Sequence, residues 1–155
     1  MASDDLFRML QLAAKGYCCS QILLILALEE QGKQNRDLIR ALGGLCQGMG
    51  GGPGCCGALS GGTCLLALYG GKGRDDEEKD ERLPVMLEEL TDWFRDRFGG
   101  ARGEVNCGAI LGEDAGGIPD PGRCGDLVAE TYVQAMEILA SHGIDATRGR
   151  DDQSD

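Results

Sequence analysis

Eight cysteines carry the reactive chemistry of this chain: Cys18, Cys19, Cys46, Cys55, Cys56, Cys64, Cys107 and Cys124. Thiolate sulfur ligates soft metals, builds iron–sulfur clusters and exchanges with disulfides. The spacing excludes several familiar sites. No C-x-x-C occurs, so a thioredoxin-like centre, a zinc-ribbon knuckle and a c-type haem attachment all lose their signature. The ferredoxin spacings are absent as well. The single histidine, His142, stands beside Gly143 and is read as meeting the end of a helix rather than a metal.

The elements that must position these thiols read as helices. Ser3 caps a first helix with Leu6, Met9, Leu10 and Ala13 on one face. A second starts near Cys19 and is apolar all round from Ile22 to Leu28, which places it centrally. A third runs from Asn35 to about Leu45. The glycine-rich stretch Gly43–Gly54 reads as a loop, because glycine disfavours helix. A fourth helix spans about Cys55 to Tyr69. Residues Gly71–Arg82 form a charged linker. Pro84 opens a fifth helix with Leu83, Met86, Leu87, Leu90, Trp93, Phe94 and Phe98 at helical spacing, and Gly99 stops it. A short turn follows Cys107, Asp114–Gly122 is a loop, and a last helix covers Gly125–His142. No strand alternates. The expected fold is all-α, an irregular bundle of about five to six main helices in one domain over 1–146, with a disordered tail at 147–155.

Four cysteines, Cys19, Cys56, Cys107 and Cys124, fall at expected helix starts. Unpaired N–H groups and the positive end of the helix dipole lie there, a setting that lowers thiol pKa and favours the thiolate. Brought together, they would line an electropositive pocket suited to an anionic iron–sulfur centre. Gly57 and the run Gly50-Gly51-Gly52 would let backbone amides approach the sulfurs. Cys18, Cys55 and Cys46 are secondary ligand candidates, and Cys64 is read as core packing. The segment Gly52–Gly57 fits G-x-G-x-x-G, yet no strand precedes it, so the match is coincidental.

Composition bounds the partners. The chain has 155 residues and a net charge of −11, which argues against nucleic acid and anionic membrane. The longest apolar run is seven residues, against the roughly 20 that span a bilayer. The opening MASDD carries no secretory pattern. A cytoplasmic protein is expected, in which metal binding or redox chemistry is a better default for the thiols than a disulfide scaffold.

The residues resemble the C_GCAxxG_C_C family. The matching pieces are Gly16-Tyr17-Cys18-Cys19-Ser20-Gln21, then Cys56-Gly57-Ala58-Leu59-Ser60-Gly61, then Asn106-Cys107-Gly108-Ala109-Ile110-Leu111-Gly112, then Cys124 with Leu127-Val128. The resemblance runs from Leu6 to about Leu139. It implies a small all-helical redox protein whose four family cysteines fall on Cys19, Cys56, Cys107 and Cys124. A similar module accompanies haems in split-Soret cytochromes, where it is assigned an iron–sulfur centre. This chain has no haem motif and adds Cys18, Cys46, Cys55 and Cys64 to the pattern.

The leading expectation is therefore a redox protein with a Cys-ligated iron–sulfur cluster, [2Fe–2S] ahead of [4Fe–4S]. It would act as an electron carrier or redox partner rather than a stand-alone enzyme. Its acidic surface would meet a positively charged partner protein, and a homodimer is compatible with the sequence. The alternatives are a thiol–disulfide redox protein and a Cu(I) or Zn(II) thiolate-binding protein.

Overall fold

The computed structural model describes residues 3–51, 54–111 and 121–153. Among the described residues seven right-handed α-helices form: α1 (Ser3–Ala14), α2 (Cys19–Glu30), α3 (Arg36–Leu42), α4 (Gly57–Gly70), α5 (Leu83–Phe98), α6 (Cys107–Leu111) and α7 (Pro121–Ser141). There is no strand among the described residues. The all-α irregular bundle is as the sequence predicts, and among the described residues no helix is long and apolar enough to cross a membrane.

Two helices make the centre. α2 buries Ile22, Leu23, Leu24, Leu26, Ala27 and Leu28, consistent with its lack of a polar face. α4 lies against it, and the glycines of α4 set how closely. A Cβ at Gly61 would stand 2.7 Å from the Cα of Ser20 on α2. One at Gly62 would stand 2.9 Å from both Leu90 of α5 and Thr131 of α7. Close approach on both sides explains why α4 tolerates residues that weaken an isolated helix.

α5 has the expected bounds, with Pro84 in its first turn and Gly99 at its C-cap. It buries Leu83, Met86, Leu90 and Phe94. α7 buries Leu127, Val128, Thr131, Tyr132, Ala135, Ile138 and Leu139, but it begins at Pro121, four residues before the expected Gly125. Proline is well suited to a first helical turn. Most of the expected loop at 114–122 lies outside the described residues.

Other boundaries differ from expectation for local reasons. α1 buries Met9 and Leu12, while Leu6 and Leu10 are exposed. It packs mainly on α2 and α7, so a narrow stripe is covered. α3 is capped by Asn35, whose Oδ1 accepts the Leu38 N–H at 3.1 Å. It ends at Leu42, and Gly43–Leu45 continues as a 3-10 turn. The His142 ring pairs with Glu89 of α5 at 3.1 Å, while its carbonyl accepts from Arg82 at 2.6 Å.

The charged linker and the end of the chain are tied to each other. Burial and hydrogen bonds place Arg150 between them: its guanidinium donates to Gly70 O at 2.8 Å, to Gly71 O at 2.5 Å and to Glu78 O. Residues Arg150–Asp152 form a 3-10 turn, and Lys33 pairs with Asp152 at 3.2 Å. This differs from the loose tail expected over 147–155. The charges of the tail are those of a solvated segment, but one of them caps α4.

Candidate functional site

Cys19 is the first residue of α2, and Cys18 is its N-cap in extended conformation. The Cys18 N–H donates to Gln21 Oε1 at 3.1 Å, and Gln21 Nε2 donates to Ile39 O at 3.0 Å. One side chain thus closes the start of α2 and fastens α3 to it. Ser20, fully buried, donates its hydroxyl to Leu42 O at 2.9 Å.

Cys56 is the N-cap of α4. Its N–H donates to Val105 O at 2.7 Å, and the Cys107 N–H donates to Gly54 O at 2.9 Å. These bonds flank an antiparallel bridge between Cys55 and Asn106. The bridge explains why α4 starts at Gly57 rather than Cys55: the two preceding residues are extended. Asn106 in turn caps α6, its Oδ1 accepting the Ala109 N–H at 2.9 Å. A short ladder therefore sets Cys56 beside Cys107, each at a helix start.

Between α3 and α4 the chain makes a left-handed turn. Gln47 (φ 55°, ψ 41°), Gly48 (φ 62°, ψ 49°), Met49 (φ 63°) and Gly50 (φ 92°) are consecutive. The stretch expected to be an open loop is thus a folded device. Gly50 closes it by donating its N–H to Cys46 O at 2.8 Å, and Gly54 N–H donates to Gly48 O at 3.0 Å. Gly48 must be glycine twice over. Its φ is left-handed, and a Cβ there would lie 2.8 Å from Gly54 O and 2.9 Å from Cys107 Cβ.

Three of the expected thiols are brought near one another. Cys19, Cys56 and Cys107 lie within one another's electrostatic reach. A Cβ on Gly57 would collide with Cys19 Sγ, so the glycine after Cys56 is what lets Cys19 in. Backbone N–H groups of Cys19, Ser20 and Gln47 face the Cys19 sulfur, and those of Ala58 and Leu59 face Cys56.

The electrostatics reverse one expectation. Burial pushes all three thiols up, Cys56 to about 12. The amides at the helix starts pull the other way, and each neighbouring thiol adds a further upward push. Desolvation of a would-be anion outweighs the helix N-terminus here, so the metal-free pocket holds neutral thiols.

Each of the other candidates has its own setting. Cys124 is half-buried in the first turn of α7, after the segment 112–120 that lies outside the described residues. Cys55 turns its sulfur to Cys56 O at 3.6 Å, with the charge of Arg95 on α5 acting on it. Cys64 is half-buried midway along α4 and packs against the core. Gly52 is outside the described residues. Gly50 and Gly51 are exposed, and the Gly50 amide is used within the turn. Among the described residues the side chains do not stand as a closed metal-holding group.

Two features escape sequence reasoning. Gln47 supplies the amide expected of a glycine, and nothing in its type signals a left-handed φ. Cys18 and Cys46 form a disulfide, their Cα atoms 5.9 Å apart across 28 residues of sequence, within the span a disulfide bridges. The expectation that Cys18 and Cys46 are secondary ligand candidates is corrected here: the two are paired with each other.

Comparison with known proteins gives one relationship. Neither a curated protein nor a solved structure matches the chain. A family model described as "Putative redox-active protein (C_GCAxxG_C_C)" matches residues 17–138, a span that contains all eight cysteines. With Cys19, Cys56 and Cys107 at helix starts in an all-helical frame, the chain belongs to the C_GCAxxG_C_C family.

Proposed function

We propose that the protein is an electron-transfer protein in which Cys19, Cys56 and Cys107, with Cys124 as the fourth ligand, hold an iron–sulfur centre. The observation that supports this reading is the approach of three thiols from remote segments, Cys56 and Cys107 buried and Cys19 half-buried, each at a helix start. Their chemistry fits a ligand better than a nucleophile. A thiol pushed up to about 12 is protonated at neutral pH and attacks poorly. As ligands these thiols would give up that proton, and the charge of a bound cation would offset the desolvation that raised them.

The surroundings suit such a group. Backbone N–H groups aimed at Cys19 and Cys56 would hydrogen-bond bound sulfurs and help set the potential. A bound cluster, [2Fe–2S] by preference, would accept and return single electrons. The residues themselves would hold it and exclude water. The net charge of −11 would steer a basic partner protein. A second reading, thiol–disulfide exchange, is favoured by the Cys18–Cys46 disulfide.

Purification without oxygen tests this. The protein is expected to be brown and to contain iron and acid-labile sulfide in comparable amounts. Cys56→Ser should lose most of both, whereas Cys64→Ser should retain them. A colourless protein lacking sulfide ends the cluster reading; zinc or copper without sulfide puts a thiolate metal site in its place. Equal losses from the two variants would show that ligand and core cysteines are wrongly divided.

A further inference from the structure

We propose that Cys18 and Cys46 are a reversible redox couple whose disulfide locks the left-handed turn 47–50 against the three-thiol pocket. The two cysteines flank the parts that matter. Cys18 immediately precedes Cys19, and Cys46 immediately precedes Gln47, whose N–H faces the Cys19 sulfur. Disulfide and pocket share a wall as well. The position a Gly57 Cβ would take touches Cys19 Sγ and lies 3.8 Å from Cys46 Cα.

The turn needs a restraint. Four consecutive residues have positive φ, and two of them, Gln47 and Met49, are not glycine. L-residues other than glycine disfavour that region, and such conformations persist only where surrounding structure imposes them. Its local ties are the Gly50 N–H to Cys46 O and the Gly54 N–H to Gly48 O. The Cys18–Cys46 bond fixes the residue at which the turn begins. With that bond broken, Cys46 is free to move away from α2, the Gln47 N–H leaves Cys19, and the pocket opens.

Both oxidation states are provided for. Ser20 Oγ lies 3.3 Å from Cys18 Sγ and 3.6 Å from Cys46 Sγ. Its proton is directed to Leu42 O, which leaves its lone pairs to accept an S–H from Cys18 once reduced. Both cysteines are only half-buried, so a reagent can reach them. The step balances with a dithiol as reductant. One thiolate of the dithiol attacks a sulfur of the disulfide, and its second thiol resolves the mixed disulfide. The Cys18–Cys46 bond breaks, an S–S bond forms in the reductant, and two electrons and two protons pass to the protein.

The test is alkylation with iodoacetamide, read cysteine by cysteine from peptide masses, on chelator-treated protein oxidised with diamide and then exposed to dithiothreitol. In the oxidised protein Cys18 and Cys46 should be unlabelled, and Cys19, Cys56 and Cys107 should label slowly. Dithiothreitol should release Cys18 and Cys46 and speed labelling of the other three at least tenfold, with Cys64 unchanged as a control for intact fold. The double variant Cys18→Ser, Cys46→Ser should label fast in both conditions. Free Cys18 and Cys46 after diamide would overturn the proposal. So would an unchanged rate at the three pocket thiols once the pair is reduced. The outcome is independent of the pocket's cargo. A chain without iron or sulfide whose pocket still answers to dithiothreitol ends the cluster reading alone, and an iron-bearing chain whose pocket is indifferent ends the lock alone.

Discussion

The sulfur of Cys19 occupies the space that a side chain on Gly57 would fill. The first residue of α2 and the first residue of α4 are thus packed sulfur against backbone, and the neighbour of Gly57, Cys56, is carried into the pocket by that contact.

Gly57→Ala therefore separates helix stability from site geometry. Alanine favours a helix over glycine by up to about 1 kcal/mol, and no left-handed φ opposes it at this position. The added methyl must displace Cys19 Sγ. The variant is expected to fold with a similar Tm, yet to bind less iron and to show faster alkylation of Cys19. Gly44→Ala, where nothing lies within 4 Å, should change neither. Full iron content in Gly57→Ala would mean that the Cys19–Gly57 contact is incidental.

Much of this arrangement was legible from residue types. Pro84 and Gly99 mark the ends of α5, and the apolar run Ile22–Leu28 marks α2 as central, because those signals are local. Cys19, Cys56 and Cys107 stood out because each opens a helix. What stayed hidden depends on packing at a distance. The face of α1 depends on which neighbours reach it, so Leu12 is buried and Leu10 is not. The raised thiol pKa depends on burial depth, whereas a sequence displays only the helix start. The left-handed turn is made by Gln47 and Met49 as much as by Gly48 and Gly50, and no local rule selects those two.

Gly48 is the position where that turn is most constrained. Alanine there would bear a left-handed φ, a cost of about 1–2 kcal/mol, and would also press on Gly54 O and Cys107 Cβ at 2.8 and 2.9 Å. Gly50→Ala bears the first burden alone, since nothing lies within 4 Å of it. Urea unfolding should show Gly50→Ala destabilised by about 1 kcal/mol and Gly48→Ala by clearly more than 2 kcal/mol. Equal losses would mean that Gly48 does not support Cys107.

The thiols also set a dependence on pH. Burial raises Cys19, Cys56 and Cys107, with Cys56 at about 12, whereas an unfolded thiol titrates near 8.5. Between those values the folded metal-free protein holds more protons than the unfolded chain. Stability is then full below about pH 8.5 and falls as pH rises toward 12. Burial also raises Tyr69 and Tyr132, which adds to the loss above about pH 10. Denaturation at pH 8 and pH 10 should show a clear loss in the parent protein and a smaller one in Cys56→Ser. Parallel slopes would exclude Cys56 as a source. Ligation runs the other way: it releases thiol protons, so metal affinity should weaken as pH falls.

Arg150 offers a control at the far end of α4. Gly70 is the last residue of that helix, and its carbonyl has no partner within the helix. The Asp80 N–H supplies one at 2.9 Å and the Arg150 guanidinium a second, and Arg150 also bonds Gly71 O and Glu78 O. Its side chain is 23% exposed, so these bonds are partly shielded from water. Hydrogen bonds from a charged group contribute about 1.5–3 kcal/mol, which for a chain of this size is several degrees in Tm. Arg150→Ala should lower Tm by that much, and Arg150→Lys by an intermediate amount, because an ammonium cannot reproduce the fork. The pocket begins at the opposite end of α4, so alkylation rates of Cys19, Cys56 and Cys107 below the transition should match those of the parent protein. Altered rates would show that the two ends of α4 are mechanically coupled, and would make the end of the chain part of the control of the thiol pocket.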